Sequence, residues 1–148
     1  MEKPFVIERS RTARCSPDEV RAKILDPASW PAWQPEILST SGPSPLGPGS
    51  VVVGRARMLG FGVSGRSAAV DVDDTSFEEQ VIVGVAMRVR FDVHPSAEGT
   101  VITQSLTAEL PTGLAGRVLG VLLRWRLRRM QRVALDRLAA QAEGASVS

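Results

Sequence analysis

The chain has 148 residues, 43% hydrophobic and 23% charged, long enough for one domain with a sizeable core and too apolar for wholesale disorder. Its longest apolar run, Val118 to Leu123, falls far short of the ~20 residues of a membrane span, and the single cysteine, Cys15, excludes an internal disulfide and a thiolate metal cluster. The formal net charge is only +2, but seven arginines against one acid, Asp136, fall between Thr112 and Ala142, so the basic character belongs to one segment. Met1-Glu2-Lys3-Pro4 lacks the charged-then-apolar pattern of a secretory signal. With the lone thiol, this leads to the expectation of a cytoplasmic protein.

Phe5 to Thr12 alternates and predicts a first strand with one wetter face. Ser16-Pro17-Asp18-Glu19 reads as a capping box with proline at the first helical position, and Val20, Ile24 and Leu25 give the helix an apolar face. Pro27 ends it, because the residue before a proline avoids the α region. The stretch from Asp26 to Pro35 then packs two of the three tryptophans and three prolines into ten residues. Two large rings on so stiff a segment must plug a core or wall a pocket. We read Trp30–Gln34 as a second short helix, with one tryptophan structural and the other, Trp33, at a pocket.

Glu36 to Thr40 reads as a strand, and Ser41 to Gly49 as a breaker-dense loop. Strands follow at Val51–Met58, Phe61–Asp73, Ser76–Val83, Val85–Val93 and Thr100–Leu110, separated by short turns. Connections this short require antiparallel pairing, because parallel strands need long crossovers. Met87, Val89, Phe91 and Val93 alternate with Arg88, Arg90 and Asp92; Ile102, Gln104, Leu106 and Ala108 share a face of the last strand. Pro111-Thr112 opens a long final helix with Leu119, Leu122, Leu123, Leu127, Met130, Val133, Ala134 and Leu138 on one side. Arg117, Arg124, Arg128 and Arg132 form a stripe opposite, and Gly144 is a fitting stop ahead of a loose tail, 144–148.

This order, with Asp26-Pro27-Ala28-Ser29-Trp30-Pro31-Ala32-Trp33, the Gly99-Thr100-Val101 lead into the last strand and the Leu110-Pro111 step, resembles the START-like (SRPBCC), polyketide cyclase/dehydrase superfamily. The resemblance implies an α+β helix-grip fold over residues 1–143. A curved antiparallel sheet of about seven strands wraps the C-terminal helix, with two short helices after the first strand. It implies a cavity between sheet and helix, and a function among aromatases, lipid and quinone carriers and stress proteins. Fold alone does not choose between them.

The residues expected at the cavity are Trp33, Phe61, Met87, Phe91, Gln104, Leu106, Leu119, Leu123, Arg126 and Met130; Met58 is a further candidate. Gly116 and Gly120, costly in a helix, suggest close approach or space beside it. Metal chemistry has no ligand cluster to work with: His94 is the one histidine, and no HxxxH, CxxC or HExxH spacing occurs. No cofactor is called for. Arg126 lies about 20° from Leu119 around an ideal helix, inside the apolar arc. It must bind a ligand group or pair internally, for instance with Glu78, Glu79 or Glu109. Arg126, Gln104 and a buried glutamate, Glu78 foremost, are the candidates for acid–base work.

Two functions follow. One is binding of a small, largely apolar ligand: a polyketide-like aromatic, a lipid, or an isoprenoid or quinone. The other is a cyclase, aromatase or dehydratase. The arginine stripe is either a solvated face or a reversible, charge-driven contact with an anionic membrane. Nucleic acid is not an expected partner, since no recognition motif accompanies the charge. The chain can be monomer or dimer.

Overall fold

The computed structural model describes residues 5–58, 60–109 and 113–147, without the side chains of 58, 113–116 and 145–147. The Leu110-Pro111 step and the Thr112 cap therefore lie outside the described residues, as do the side chain of Met58 and the surroundings of Gly116. Strand β1 (Phe5–Ala13) leads into helix α1 (Pro17–Ile24), a 3-10 turn (Pro27–Ser29) and the one-turn helix α2 (Trp30–Trp33). Strands β2 (Ile37–Ser41), β3 (Val51–Met58), β4 (Phe61–Val72), β5 (Ser76–Ile82), β6 (Ala86–Ser96) and β7 (Gly99–Ala108) precede helix α3 (Gly113–Val147).

The capping box forms in full. Ser16 Oγ accepts from the Glu19 amide at 3.3 Å and Glu19 Oε2 accepts from the Ser16 amide at 3.3 Å. The strands make one antiparallel sheet in the order β1-β7-β6-β5-β4-β3-β2. Only β1 leaves the meander: it crosses to pair with β7, from Phe5 opposite Ala108 to Ala13 opposite Thr100. Thr100 Oγ1, fully buried, donates to the Cys15 carbonyl at 2.7 Å and fixes the chain where β1 turns into α1. Gly99, with φ of +138°, makes this approach possible, because a Cβ there would collide with the Ala13 carbonyl oxygen.

One face of the sheet is apolar. Val89, Phe91 and Val93 on β6 and Ile102, Leu106 and Ala108 on β7 are buried with Leu127, Leu135 and Leu138 of α3. Burying a side chain of this size contributes roughly 1.5–3 kcal/mol. The helix packs on a narrower arc than ideal geometry predicts. Leu123, Leu127, Gln131, Ala134 and Leu138 are buried, whereas Leu119 and Leu122 are exposed. At 1.5 Å per residue its 35 residues span ~52 Å, longer than any strand beneath it, so part of it has no sheet to cover. Nor does Gly144 stop it: the helix continues to Val147. Among the described residues, nothing comes within 4 Å of a Cβ built at Gly120, so no close approach accounts for that glycine.

Candidate ligand cavity

A cavity of about 120 Å³ lies between the sheet and α3, with α2 and the segment after it along one side. Met87, Val89 and Leu106 form its floor; Val52, Ala56, Val81 and Val83 continue it toward β3 and β5; Met130, Gln131 and Ala134 of α3 form the roof. Trp30, Gln34, Pro35 and Glu36 close one flank, and the exposed Val53 and Arg55 mark the rim.

Of the expected wall residues, Met87, Gln104, Leu106 and Met130 line this space. Trp33 does not. It is 1% exposed, donates from Nε1 to Ser29 Oγ at 3.1 Å, and meets Phe91 edge-on with ring centroids 5.9 Å apart. Trp33 and Phe91 are therefore core, and the wall falls to Trp30, whose Nε1 donates to the Ile24 carbonyl at 2.9 Å. Both indoles spend their polar atom on local groups. The rings are fixed before any ligand arrives. Leu123 packs with Ala56 and Val83 in a small cluster beside the cavity, and Leu119 is exposed beyond it. Phe61 is 74% exposed near the β3–β4 turn: its parity matches the inner face, but it stands too near the hairpin tip to be covered.

Arg126 forms an internal ion pair, with a partner other than those expected. Its Nη2 lies 2.8 Å from Glu36 Oε1. Glu36 is buried and lines the cavity, so this pair ties α3 to the segment entering β2. Arg126 Nε is buried and has no hydrogen-bond partner among the described residues. Glu78 faces away from the cavity and pairs with Arg90 at 3.8 Å. Its neighbour Glu79 is the inward carboxylate. Phe77, Glu79, Val81 and Val83 alternate onto the inner face, which the period-2 pattern of β5 already contains.

Glu79 is the most perturbed group in the cavity. Burial among apolar walls pushes its carboxyl up to about 7, and the Ser67 hydroxyl beside it lowers the value only partly. Glu79 Oε2 and Gln104 Oε1 are both buried without hydrogen-bond partners among the described residues. The Gln104 backbone carbonyl accepts from Gln131 Nε2 at 3.0 Å, which holds β7 to α3 and leaves the Gln104 side-chain oxygen free for the cavity. Such orphaned polar atoms are costly in a dry site, at about 1–3 kcal/mol each, unless a ligand or water completes them. Near neutral pH Glu79 divides between an acid that donates a hydrogen bond and a carboxylate that accepts a proton. Among the described residues, no group of three histidine, cysteine or acidic side chains is placed to hold a metal.

A curved antiparallel sheet closed on a long C-terminal helix, with an apolar cavity between them, is a helix-grip domain. Residues 4–143 match the family described as polyketide cyclase / dehydrase and lipid transport, and the chain belongs to that family. Solved structures share the fold at low sequence identity. TTHA0849 from Thermus thermophilus is 18% identical with a TM-score of 0.82, over 96% of this chain and 99% of that one. The Zhui aromatase/cyclase from Streptomyces sp. R1128 is 15% identical with a TM-score of 0.82, over 95% and 94%. The di-domain aromatase/cyclase StfQ from the steffimycin biosynthetic pathway is 16% identical with a TM-score of 0.80; the match takes 98% of this chain and 52% of that one. No curated protein matches.

Proposed function

We propose that the protein binds a small, largely apolar molecule bearing an oxygen function, in the cavity beneath α3. The observation that carries this reading is Glu79, a buried carboxyl whose Oε2 has no hydrogen-bond partner among the described residues, in an otherwise mostly apolar chamber. In its neutral form it offers one directional donor to a carbonyl or ether oxygen, while the surrounding walls select for apolar bulk. A dry apolar cavity of ~150 Å³ is known to hold one benzene ring. A space of about 120 Å³ therefore suits a single ring or one isoprenoid unit, with the rest of the ligand in the mouth toward Val53 and Arg55. Polyketide-like aromatics, quinones and lipids with such a head all meet this description.

A second reading has its own support: Ser67, Glu79 and Gln104 all line the one cavity. An acid poised near neutrality beside a carbonyl can donate a proton to its oxygen or, ionised, take one from the adjacent carbon. Those are the elementary steps of cyclisation and dehydration. Native mass spectrometry of gently purified protein, followed by solvent extraction, tests the binding reading. A bound mass of a few hundred daltons is expected; a protein that retains no ligand and takes up no hydrophobic probe overturns it. Glu79→Gln separates the two readings once a ligand is identified. A carrier keeps measurable binding with no conversion in either form, whereas an enzyme keeps binding and loses turnover.

A further inference from the structure

We infer that the outer face of the first half of α3 docks the protein on an anionic lipid bilayer, with Trp125 and its aliphatic neighbours entering the interface. Four exposed apolar side chains, Val118, Val121, Leu122 and Trp125, recur at i, i+3, i+4 and i+7. At 100° per residue they form one stripe about 180° around the helix from Leu127, which is fully buried against the sheet. This half of α3 is thus apolar on both sides. One side is explained by the core; the other faces water, and Trp125 alone is 60% exposed.

The border of the stripe is cationic. Arg124 and Arg128 lie over the Phe5 ring, 5.6 and 5.4 Å from its centroid, and Arg129 lies 6.0 Å from the centre of Trp125. Their guanidinium groups are thereby held beside the apolar surface rather than swinging free. Arg117 and Arg132 extend the charge along the helix, and Asp136 is the one acid of the segment. Among the described residues, Arg126 alone of the seven arginines forms an ion pair. Phe61 adds a ring at the same end of the molecule: Val63, two residues along on the same face, packs into the cluster that contains Leu123.

A rim of arginine around tryptophan and aliphatic side chains matches the boundary between phosphate head groups and acyl chains. A second copy of the chain fits poorly, because it would set these arginines against their own counterparts. Four side chains also fall short of the ~800 Å² per partner that a stable dimer needs. Insertion goes beyond the charge-driven contact expected from the sequence. No helix among the described residues is long and apolar enough to cross a membrane, so the mode is docking on the surface.

The three tryptophans make the test direct, because Trp30 and Trp33 are buried and Trp125 is exposed. The full chain is titrated with vesicles of phosphatidylcholine containing one third phosphatidylglycerol, and with pure phosphatidylcholine. The anionic vesicles are expected to bind the protein and shift its tryptophan emission to the blue, and the neutral ones to do neither. Trp125→Phe is expected to abolish the shift. Val121→Ser with Leu122→Ser is expected to weaken partitioning at least tenfold. Arg117→Gln, Arg129→Gln and Arg132→Gln together are expected to weaken it roughly a hundredfold, at about fivefold per charge. The inference is overturned if the protein ignores anionic vesicles at low salt, if the shift survives Trp125→Phe, or if the double-serine variant binds like the wild type. It is also overturned if sedimentation shows a dimer that Leu122→Ser dissociates.

Discussion

Glu79 should make the domain less stable as the pH rises toward neutrality, and Glu79→Gln should remove that loss. In the unfolded chain a glutamate ionises near 4.5; in the fold, burial raises the value to about 7. Between these values the native state holds a proton that the unfolded state has released, so stability falls with rising pH across this window and levels off above it. The gap of about 2.5 pK units corresponds to roughly 3 kcal/mol, with a steepest slope near 1.4 kcal/mol per pH unit. Glutamine has the same shape and no charge to desolvate. Urea unfolding of both proteins at pH 5, 6, 7 and 8 gives the comparison, and other titrating groups cancel in the difference. The variant should match the wild type to within about 1 kcal/mol at pH 5 and exceed it by roughly 3 kcal/mol at pH 8. A difference that stays flat within about 0.5 kcal/mol over that range would mean that Glu79 ionises in the fold at no cost, and the desolvation argument fails.

Trp33→Ala should cost about 3–5 kcal/mol in chemical denaturation, because it empties the space against Phe91 inside the core. Arg126→Met should cost about 3 kcal/mol by leaving Glu36 buried and unpaired, and adding Glu36→Leu should restore much of it; a double variant no better than the single one argues against the pair. Gly99→Ala should cost more than about 2 kcal/mol, or prevent folding, through its positive φ and the clash with Ala13. Ser16→Ala should cost about 1 kcal/mol in thermal or urea unfolding, reporting loss of the capping box alone.

Most of the architecture is legible from local signals. The capping box, the breaker-dense loop before β3 and the short turns between strands each have a chemistry that acts over a few residues, and each stands where the sequence puts it. The wall of the cavity is less legible. Trp30 and Trp33 sit on one turn of helix, and which ring meets the cavity depends on how that turn docks, which no local pattern encodes. Leu119 and Leu122 belong to an apolar arc drawn on an ideal helix, but the helix outruns the sheet that would cover it. Arg126 reads as buried, yet its partner Glu36 is 90 residues away in the chain, and only the tertiary fold brings them together. Glu79 is the instructive case. Its parity with Phe77, Val81 and Val83 sets it on the inner face, so alternation alone separates it from Glu78. The raised pKa, by contrast, arises from burial in the closed fold, which no local pattern encodes.

The pairing of β1 with β7 has a consequence for the order of assembly. Strands β2 to β7 are joined by local hairpins and can pair as they emerge during synthesis, whereas β1, made first, finds its partner only about 90 residues later. Until then its apolar residues Phe5 and Ile7 and its unpaired backbone are open to other chains. The N-terminal strand is therefore the last piece of sheet to close, and it closes onto a strand that leads directly to α3. Pulse-labelled hydrogen exchange during refolding should find the β1 amides protected after those of the β3–β4 and β5–β6 hairpins.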